Sequence, residues 1–281
     1  MSTTTPLGHR VRQITSNTAM GLYLTVTIFP FIFMVVTALK EKGVSRDPFV
    51  AFKPTLKNFS DILQGNNGLS QGFSSLLMHS LIVTLLSTLL VIVIAVPAAY
   101  GLARPSFGAS ERISNWVLST YMFPPTVAVI PVYLMVSKLN LIDKPIALIV
   151  PYAAFNMPIA IWILRSSILK IPHEIMEASR VDGANTKTEL TKIVVPLLKP
   201  SIMTVAIISA ILSWNEFLFA LALTRDAMRT APVGIQSFSG MYGTEWGPLM
   251  AASFVIIAPL LIATLFLRRH IVSGLTFGAV K

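Results

Sequence analysis

Few residues of this chain have the types and spacing that catalytic chemistry requires. The sequence contains no cysteine, and its four histidines lie far apart, without the spacing of metal ligands. It also lacks the G-x-x-x-x-G-K-S/T phosphate loop, the G-x-S-x-G nucleophile motif and the H-E-x-x-H zinc motif. We therefore predict a protein that is not an enzyme and that has no catalytic residue, metal site or cofactor of its own.

The strongest candidate for a functional side chain is Glu216. It is the single charged residue between Lys199 and Arg225, in a segment that is otherwise apolar and long enough to cross a membrane. A charge at the centre of a membrane helix costs about 2.5–3.5 kcal/mol, so such a residue is a functional candidate. Trp214 and Asn215 precede it and offer an aromatic face for stacking and an amide for hydrogen bonding.

Three other interpretations of Glu216 remain open at this point. The carboxyl group could be protonated, could pair with a group on a partner subunit, or could act as a gate beside a water-filled cavity. Asn156 and Tyr121, in two other apolar segments, are weaker candidates for contact with a transported solute.

The elements that must position these residues are membrane helices. The chain of 281 residues is 54% apolar and only 12% charged, about half the charged share of a soluble domain. About 20 apolar residues cross the hydrocarbon core, and the charge-free runs are long enough for six crossings. We predict an all-α membrane protein with spans near residues 17–39, 76–101, 114–136, 146–165, 201–223 and 248–267. The apolar part of the first run is too long for a cleavable signal peptide.

The positive charges predict the orientation of these spans. With six spans both termini lie on one side, and 13 of the 22 Lys and Arg residues fall in segments on that side. Since positive loops stay in the cytoplasm, both termini are predicted to be cytoplasmic. The net charge of +10 is attributed to the anionic lipid surface rather than to nucleic acid. The predicted parts are an N-terminal tail (1–16), a six-helix transmembrane domain (17–267) with a cytoplasmic loop (166–200), and a C-terminal tail (268–281).

The cytoplasmic loop 166–200, here named the polar hairpin, is too polar to span and is predicted to fold as helix, turn and helix. Residues 172–182 are predicted to form its first helix, with carboxylates near the positive end of the helix dipole. Gly183 is predicted to end this helix in the left-handed conformation. Thr186 and Glu189 have the S/T-x-x-E spacing of a capping box, which predicts the start of a second helix.

The polar hairpin resembles the EAA loop in permease subunits of binding-protein-dependent ABC importers. It keeps the family's spacing at Glu177-Ala178-Ser179, Gly183, Ile193 and Val195-Pro196, with Ser179 and Val195 as conservative departures. The resemblance implies that the first helix is a coupling helix, which docks in a cleft of a cytoplasmic ATPase. The residues implied in this coupling are Glu177, Ala178, Ser179, Asp182, Gly183 and Ala184. The alternative is an amphipathic surface helix without a partner.

Other segments narrow the resemblance to the carbohydrate branch of this family, close to the maltose-type second permease. They are His79-Ser80-Leu81, residues 98–104, Asp182-Gly183-Ala184, residues 214–217 and the tail 274–281. The resemblance implies that the tail, with Gly274, Thr276 and Gly278, reaches between ATPase subunits; a frayed terminus is the alternative. It also implies that the loop 225–247 faces a solute-binding protein through Gly240, Tyr242, Gly243 and Trp246; a simple connector is the alternative.

The resemblance implies a permease subunit that forms, with a second permease, the pathway for a carbohydrate. An extracytoplasmic solute-binding protein would deliver the sugar, and two copies of a cytoplasmic ATPase, which bind ATP and Mg, would drive transport. Such a complex lies in the bacterial inner membrane, and no nucleic acid takes part. An ion-coupled secondary carrier is the rival interpretation, because carriers use charged residues within the membrane, although this chain offers only Glu216.

Overall fold

The chain folds mainly into helices. A computed structural model describes residues 6–41, 51–65, 72–104, 109–240 and 243–276. The long helices are α1 (Pro6–Ala38), α3 (Phe73–Ala103), α6 (Pro145–Ile168) and α13 (Trp246–Thr276). The shorter ones are α2 (Lys57–Gln64), α4 (Ser110–Thr120), α5 (Pro125–Lys138), α7 (His173–Val181), α8 (Thr186–Thr188), α9 (Val195–Leu197), α10 (Lys199–Trp214), α11 (Leu218–Leu223) and α12 (Ala231–Gly234). A π-helix (Glu189–Val194), a 3-10 helix (Ile235–Phe238) and the paired strands β1 (Ser239–Gly240) and β2 (Gly243–Thr244) are also present.

Within the described residues, four helices are long and apolar enough to cross a membrane. They are Thr15–Ala38 of α1, the whole of α3 and α6, and Trp246–Thr264 of α13. Two bent pairs raise the number to six if each pair forms one span: α4 with α5, bent by 90°, and Thr186–Leu197 with α10, bent by 76°. The chain therefore has the helices of a multi-pass membrane protein, with four to six candidate spans.

The span predicted over residues 114–136 is not a single helix. α4 ends at Thr120, and α5 begins at Pro125 after an extended residue, Pro124. Proline lacks a backbone donor and clashes with the preceding turn inside a helix, but its fixed φ suits the first position of a new one. The proline pair therefore ends one helix and begins the next.

The span predicted over residues 201–223 is also divided. α10 ends at Trp214, and α11 begins at Leu218. The carboxylate of Glu216 accepts hydrogen bonds from two N–H groups in the first turn of α11, which stabilises a new helix start inside the apolar run. The residue that causes the break is visible in the sequence, since Glu216 can serve as a cap.

The larger of two compact units has a core formed by α3, α6 and α10. Small side chains allow membrane helices to approach closely, and the buried face of α3 carries Ser80, Thr84, Ser87, Ala95 and Ala99. Several large apolar residues of α3, including Leu85, Leu89 and Val93, are exposed instead. This distribution suits a helix that has protein on one side and lipid or another subunit on the other.

A polar contact joins the three helices of this core. The hydroxyl of Ser87 in α3 donates to Ser213 Oγ in α10 at 3.1 Å, and Asn156 Nδ2 in α6 donates to the same oxygen at 3.1 Å. Polar side chains inside a bilayer need such partners because no water is available there. The contact therefore ties the three helices together at the level of Asn156.

The smaller compact unit contains α1, α2, the two strands and the first part of α13. In this unit Asn58 is buried and donates to the carbonyls of Ala38 and Lys40 at 2.8 and 2.7 Å. These carbonyls lie at the C-terminal end of α1, where helix carbonyls have no partner of their own. Gly247 approaches Asn58 so closely that an added Cβ would lie 2.7 Å from its amide nitrogen. Asn58 thus fixes α1, α2 and the start of α13 to one another.

Candidate functional site

The first helix of the polar hairpin lies where the sequence predicts it. α7 is one residue shorter than the predicted range 172–182 at each end. Gly183 follows with a φ of +82°, a left-handed conformation in which residues with a Cβ are strained. The N–H of Ala184 donates to the carbonyl of Ser179 at 2.9 Å, which closes the end of the helix.

Most of the hairpin residues that the resemblance singles out are accessible. Glu177, Ala178, Asp182 and Gly183 are exposed, and Ala184 is partly exposed. Ser179 differs from them, because it is buried and its hydroxyl donates to a carbonyl of its own helix at 2.8 Å. The surface that α7 offers to a partner therefore excludes Ser179.

The capping box predicted at Thr186 and Glu189 is not formed. The N-cap is Asn185, whose side-chain oxygen accepts a hydrogen bond from the N–H of Thr188 at 2.9 Å. Asparagine is among the preferred N-cap residues, so the cap lies one residue earlier than predicted. The helix that follows is also not uniform, since it contains the π-helix that begins at Glu189.

Glu189 is instead the buried centre of a group of polar side chains, here named the Glu189 cluster: Tyr100, Arg104, Arg180 and Glu189. The carboxylate is only 1% exposed. The hydroxyl of Tyr100 donates to it at 2.8 Å, and Arg180 donates to its two oxygens at 3.0 and 3.3 Å. Arg104 lies 3.8 Å from the carboxylate, 4.6 Å above the Tyr100 ring, and donates to the Tyr100 hydroxyl.

Sequence reasoning missed the Glu189 cluster. Its members come from α3 and the residue directly after it, from α7 and from the π-helix, and Tyr100 and Glu189 are 89 residues apart. The signal that could have indicated the cluster was the carboxylate of Glu189. It was assigned to the predicted capping box, so no other partner was considered. A cavity of about 80 Å³ adjoins the cluster and is also lined by His173 and Glu177.

The break between α10 and α11 positions Glu216. Its two carboxylate oxygens accept hydrogen bonds from the N–H groups of Phe219 at 2.9 Å and Ala220 at 3.2 Å. A helix N-terminus carries partial positive charge, so the carboxylate is stabilised there without a cationic side chain. The structure thus gives Glu216 a local role that none of the sequence-based interpretations included.

Glu216 also lines a cavity of about 340 Å³, here named the α10–α11 cavity. The cavity brings Glu216 together with Tyr121 and Asn156, which come from three separate parts of the chain. Its walls are rich in aromatic side chains, namely Tyr121, Phe123, Tyr152, Phe155 and Phe219. Apolar walls with a few fixed polar groups are typical of small-molecule sites.

Two polar groups of this cavity have capacity for further contacts. The hydroxyl of Tyr152 is buried and has no hydrogen-bond partner of normal geometry among the described residues, although Glu216 acts on it electrostatically. Asn156 uses its amide nitrogen for Ser213, and the carbonyl oxygen of an amide is a further acceptor. A solute with hydroxyl groups and apolar faces matches this combination of aromatic, amide and carboxylate groups.

Trp214 and Asn215 are not part of the α10–α11 cavity. Trp214 is buried, and Asn215 is exposed and donates to the carbonyl of Ile211 in its own helix at 2.8 Å. Neighbours in sequence point in different directions at a helix end, so the trio of residues 214–216 does not act as one surface. Of the three, the structure places only Glu216 in this cavity.

A second carboxylate that sequence reasoning missed holds the start of the loop 225–247. Asp143 accepts hydrogen bonds from four consecutive backbone N–H groups, those of residues 225–228, at 2.9–3.2 Å. Burial alone would raise the pKa of Asp143, but these hydrogen bonds stabilise the charged form and lower the pKa below its ordinary value. Asp143 therefore anchors the loop as an ionised carboxylate.

The loop residues singled out by the resemblance lie in or beside the small hairpin of β1 and β2. Gly240 pairs with Gly243, which has a φ of +111°, and Trp246 begins α13. Tyr242 lies outside the described residues. At the C-terminus, Gly274 and Thr276 belong to α13, and Gly278 lies outside the described residues.

Comparison with known proteins identifies relatives over nearly the whole chain. Residues 92–276 match the family described as "Binding-protein-dependent transport system inner membrane component". The trehalose/maltose transport system permease protein MalG of Thermococcus litoralis is 37% identical over 263 residues, which cover 92% of this chain and 94% of the relative. The sulfoquinovosyl glycerol transport system permease protein SmoH of Agrobacterium fabrum is 34% identical over 267 residues, covering 94% and 92%.

Solved structures show the same fold. A chain from a bacterial ABC transporter involved in the import of the acidic polysaccharide alginate superimposes with a TM-score of 0.77 at 19% identity, over 96% of this chain and 99% of that one. At this identity the likeness concerns the fold alone, whereas the family follows from the sequence matches. The chain belongs to the family of inner membrane components of binding-protein-dependent transport systems, and it is a permease subunit of an ABC transporter.

Proposed function

We propose that this permease forms, together with a second permease, the pathway by which a carbohydrate enters the cell. The observation that carries the proposal is similarity over more than nine tenths of the chain to permeases of the trehalose/maltose and sulfoquinovosyl glycerol transport systems. The chain supplies a path rather than bond chemistry. ATP and Mg are bound by separate ATPase subunits.

The proposed topology has six spans, with both termini in the cytoplasm of a bacterial cell and the permease in its inner membrane. In this arrangement α4 and α5 together form one span, α10 and α11 together form another, and Thr186–Leu197 belongs to the cytoplasmic polar hairpin. The excess of Lys and Arg in the segments on the side of the termini supports this orientation. The polar hairpin and the tail 268–281 then lie on the cytoplasmic side, and the loop 225–247 lies outside.

The proposed ATPase contact is α7, acting as a coupling helix. Glu177, Ala178, Asp182 and Gly183 are exposed on it and would enter the cleft of one of two ATPase subunits. Glu177 would meet basic groups, and Ala178 would allow close packing. Ser179 and Ala184 would support the helix from within, and Gly274, Thr276 and Gly278 of the tail would reach between the ATPases.

The proposed contact with the solute-binding protein is the loop 225–247, through Gly240, Tyr242, Gly243 and Trp246. The tight pairing of Gly240 with Gly243 supports a loop tip that another protein can approach closely. Asp143 supports the same role by holding residues 225–228 in one conformation.

The proposed path for the solute includes the α10–α11 cavity. Tyr121, Asn156 and Glu216 lie together there, and aromatic faces can stack on sugar rings while the polar groups bind hydroxyls. Trp214 and Asn215 stay sequence-based predictions for the pathway.

ATP binding would close the ATPase pair, move the two coupling helices together and open the cavity to the outside. Hydrolysis of ATP would return the cavity to its starting state.

The test is to tag the chain, extract it gently from its native membrane and identify what co-purifies. Recovery of a second permease with two copies of a P-loop ATPase, and ATPase activity stimulated by a sugar-loaded binding protein, is the expected result. Recovery of the chain alone after mild extraction and crosslinking would contradict the proposal. That outcome would favour an ion-coupled carrier, with Glu216 as the residue to titrate.

A further inference from the structure

The Glu189 cluster joins the proposed coupling helix to the end of a long core helix. Arg180 lies on α7, Tyr100 and Arg104 lie in the last turn of α3 or directly after it, and Glu189 receives donors from both sides. No direct hydrogen bond between α7 and α3 is found among the described residues, so the carboxylate is the bond that the two elements share.

The geometry of the cluster makes this a stiff link. Arg180 donates from two nitrogens to the two carboxylate oxygens, and such a paired arrangement fixes both distance and orientation. Glu189 is 1% exposed, so bulk water has little access to its carboxylate. Arg180 and Arg104 are 49% and 29% exposed, and a shift of either side chain would therefore act directly on this buried carboxylate.

The link continues from the end of α3 to the α10–α11 cavity. α3 has 31 residues, continues as one helix through Pro97 and packs on α6 and α10, so a displacement of its cytoplasmic end acts on its middle. In the middle of α3, Ser87 donates to Ser213, which also receives a hydrogen bond from Asn156. Ser213 and Asn156 both line the cavity.

We propose that Glu189 is a positioning residue that transmits displacement of α7 to α3, and so from the ATPases to the α10–α11 cavity. This inference rests on the proposed function of α7 as the coupling helix. The π-helix that begins at Glu189 supports it, because π-helical turns are frequent at functional sites and place a side chain where an α-helix would not. Glu189 touches neither solute nor ATP in this scheme.

The experiment uses the complete complex with both permeases, the ATPases and the binding protein, reconstituted in vesicles. The chain has no cysteine, so Gly101→Cys introduces a single labelling site in it; the other subunits are used as cysteine-free variants. Gly101 is exposed near the end of α3, and a Cβ there meets no atom within 4 Å. A spin label at this position reports movement of α3 when ATP is added.

With the native Glu189, the label is expected to respond to ATP. In Glu189→Ala the ATPases are expected to remain bound and to hydrolyse ATP, whereas the response of the label is lost and solute moved per ATP falls about fivefold or more, the lower end of typical coupling between sites. Arg180→Ala is expected to have a similar effect. Combining the two substitutions should add little, because each removes the same link.

Controls separate this role from a purely structural one. Glu111→Ala, at an exposed glutamate in the first turn of α4, should leave transport per ATP unchanged. If Glu189→Ala prevents assembly, Glu189→Gln keeps the side-chain volume and one acceptor oxygen but removes the charge, and the same two measurements apply to it. A label response and transport per ATP equal to those of the native chain, in an assembled Glu189 variant, would overturn the inference. Failure of the native chain to bind ATPases at all would instead overturn the proposed function.

Discussion

Three parts of this chain are each held by a single carboxylate: the start of the loop 225–247, the start of α11, and α7. Asp143 binds backbone N–H groups of a loop, Glu216 caps a helix, and Glu189 pairs with two arginines. In each case the carboxylate accepts hydrogen bonds from donors that belong to another part of the chain or to the next helix. Substitutions at these residues therefore test defined contacts.

Asp143→Asn should loosen the start of the loop 225–247. The amide keeps one acceptor oxygen but loses the charge that strengthens the hydrogen bonds, and bonds to a charged group are worth about 1.5–3 kcal/mol each. We expect faster hydrogen exchange at residues 225–228, with little change elsewhere. Asp226→Asn is the matched control, since the side chain of Asp226 is 75% exposed and its surface pair with Arg229 is worth about 0–1 kcal/mol. Equal exchange in both variants would contradict the anchoring role.

The lowered pKa of Asp143 predicts how this anchoring depends on pH. A carboxylate whose pKa is lower in the folded state stabilises that state fully above its unfolded pKa, about 3.9, and loses the effect as pH falls through its folded pKa. Protection of residues 225–228, corrected for intrinsic exchange rates, should therefore be constant at neutral pH and fall only below about pH 4. In Asp143→Asn this dependence should be absent.

Gly183→Pro should uncouple ATP hydrolysis from transport without preventing membrane insertion. Proline fixes φ near −65°, whereas Gly183 has a φ of +82° and donates its N–H to the carbonyl of Arg180. The chain would leave α7 in another direction and misplace Glu177, and Glu177→Lys should have the same effect by reversing a charge at the proposed contact. Sugar uptake and ATPase activity are the measurements.

Gly101→Ala is the matched control for this glycine. Its φ is not in the left-handed region, and an added Cβ has open space around it, so transport should be unchanged. Normal sugar uptake in both Gly183→Pro and Glu177→Lys would remove the basis for treating α7 as the coupling helix.

Two breaks between helices form part of the wall of the α10–α11 cavity. α4 and α5 meet at the proline pair, α10 and α11 meet at Glu216, and residues next to both breaks line the cavity. A backbone that departs from a helix within a membrane is tolerated where it lines a cavity or is buried in protein. The two breaks therefore place Tyr121 and Glu216 in this cavity, where two continuous helices would not.

Glu216→Gln separates the capping role from a solute contact. Glutamine keeps an oxygen that can accept from one N–H of α11, so we expect the complex to assemble normally. A solute that uses the charge should bind more weakly, and we expect a higher sugar concentration for half-maximal uptake. Glu216→Ala should in addition destabilise the chain by about 0.5–2 kcal/mol through loss of the cap. If glutamine at position 216 supports native uptake at all sugar concentrations, the charge has no part in solute binding.

The six-span arrangement can be tested on the whole molecule with single cysteines. The chain contains none of its own, Val181 is 87% exposed on α7, and the side chain of Asp226 is 75% exposed in the loop 225–247. In intact cells, Asp226→Cys should react with a membrane-impermeant maleimide, and Val181→Cys should react only after the cells are opened. The opposite pattern would reverse the proposed orientation, and reaction of both would place the two segments on one side.

Helix content, the existence of the spans and the turn of the polar hairpin could be predicted from the sequence. Charge-free runs of about 20 residues and a glycine at the end of a polar helix are local signals, and their physical causes act within a few residues. The match of Glu177, Gly183 and Pro196 to a spaced motif gave the family for the same reason. The sequence also contains the proline pair at which α4 ends and α5 begins.

The partners of the carboxylates were decided by tertiary structure alone. Asp143 lies 82 or more positions from the N–H groups that it binds, and Glu189 lies 89 positions from Tyr100. Tyr121, Asn156 and Glu216 line one cavity because the helices next to them pack together. The break between α10 and α11 places Glu216 at that cavity. A sequence specifies which residues are polar and which segments are helical, whereas the hydrogen bonds of a buried carboxylate depend on which helices it meets after packing.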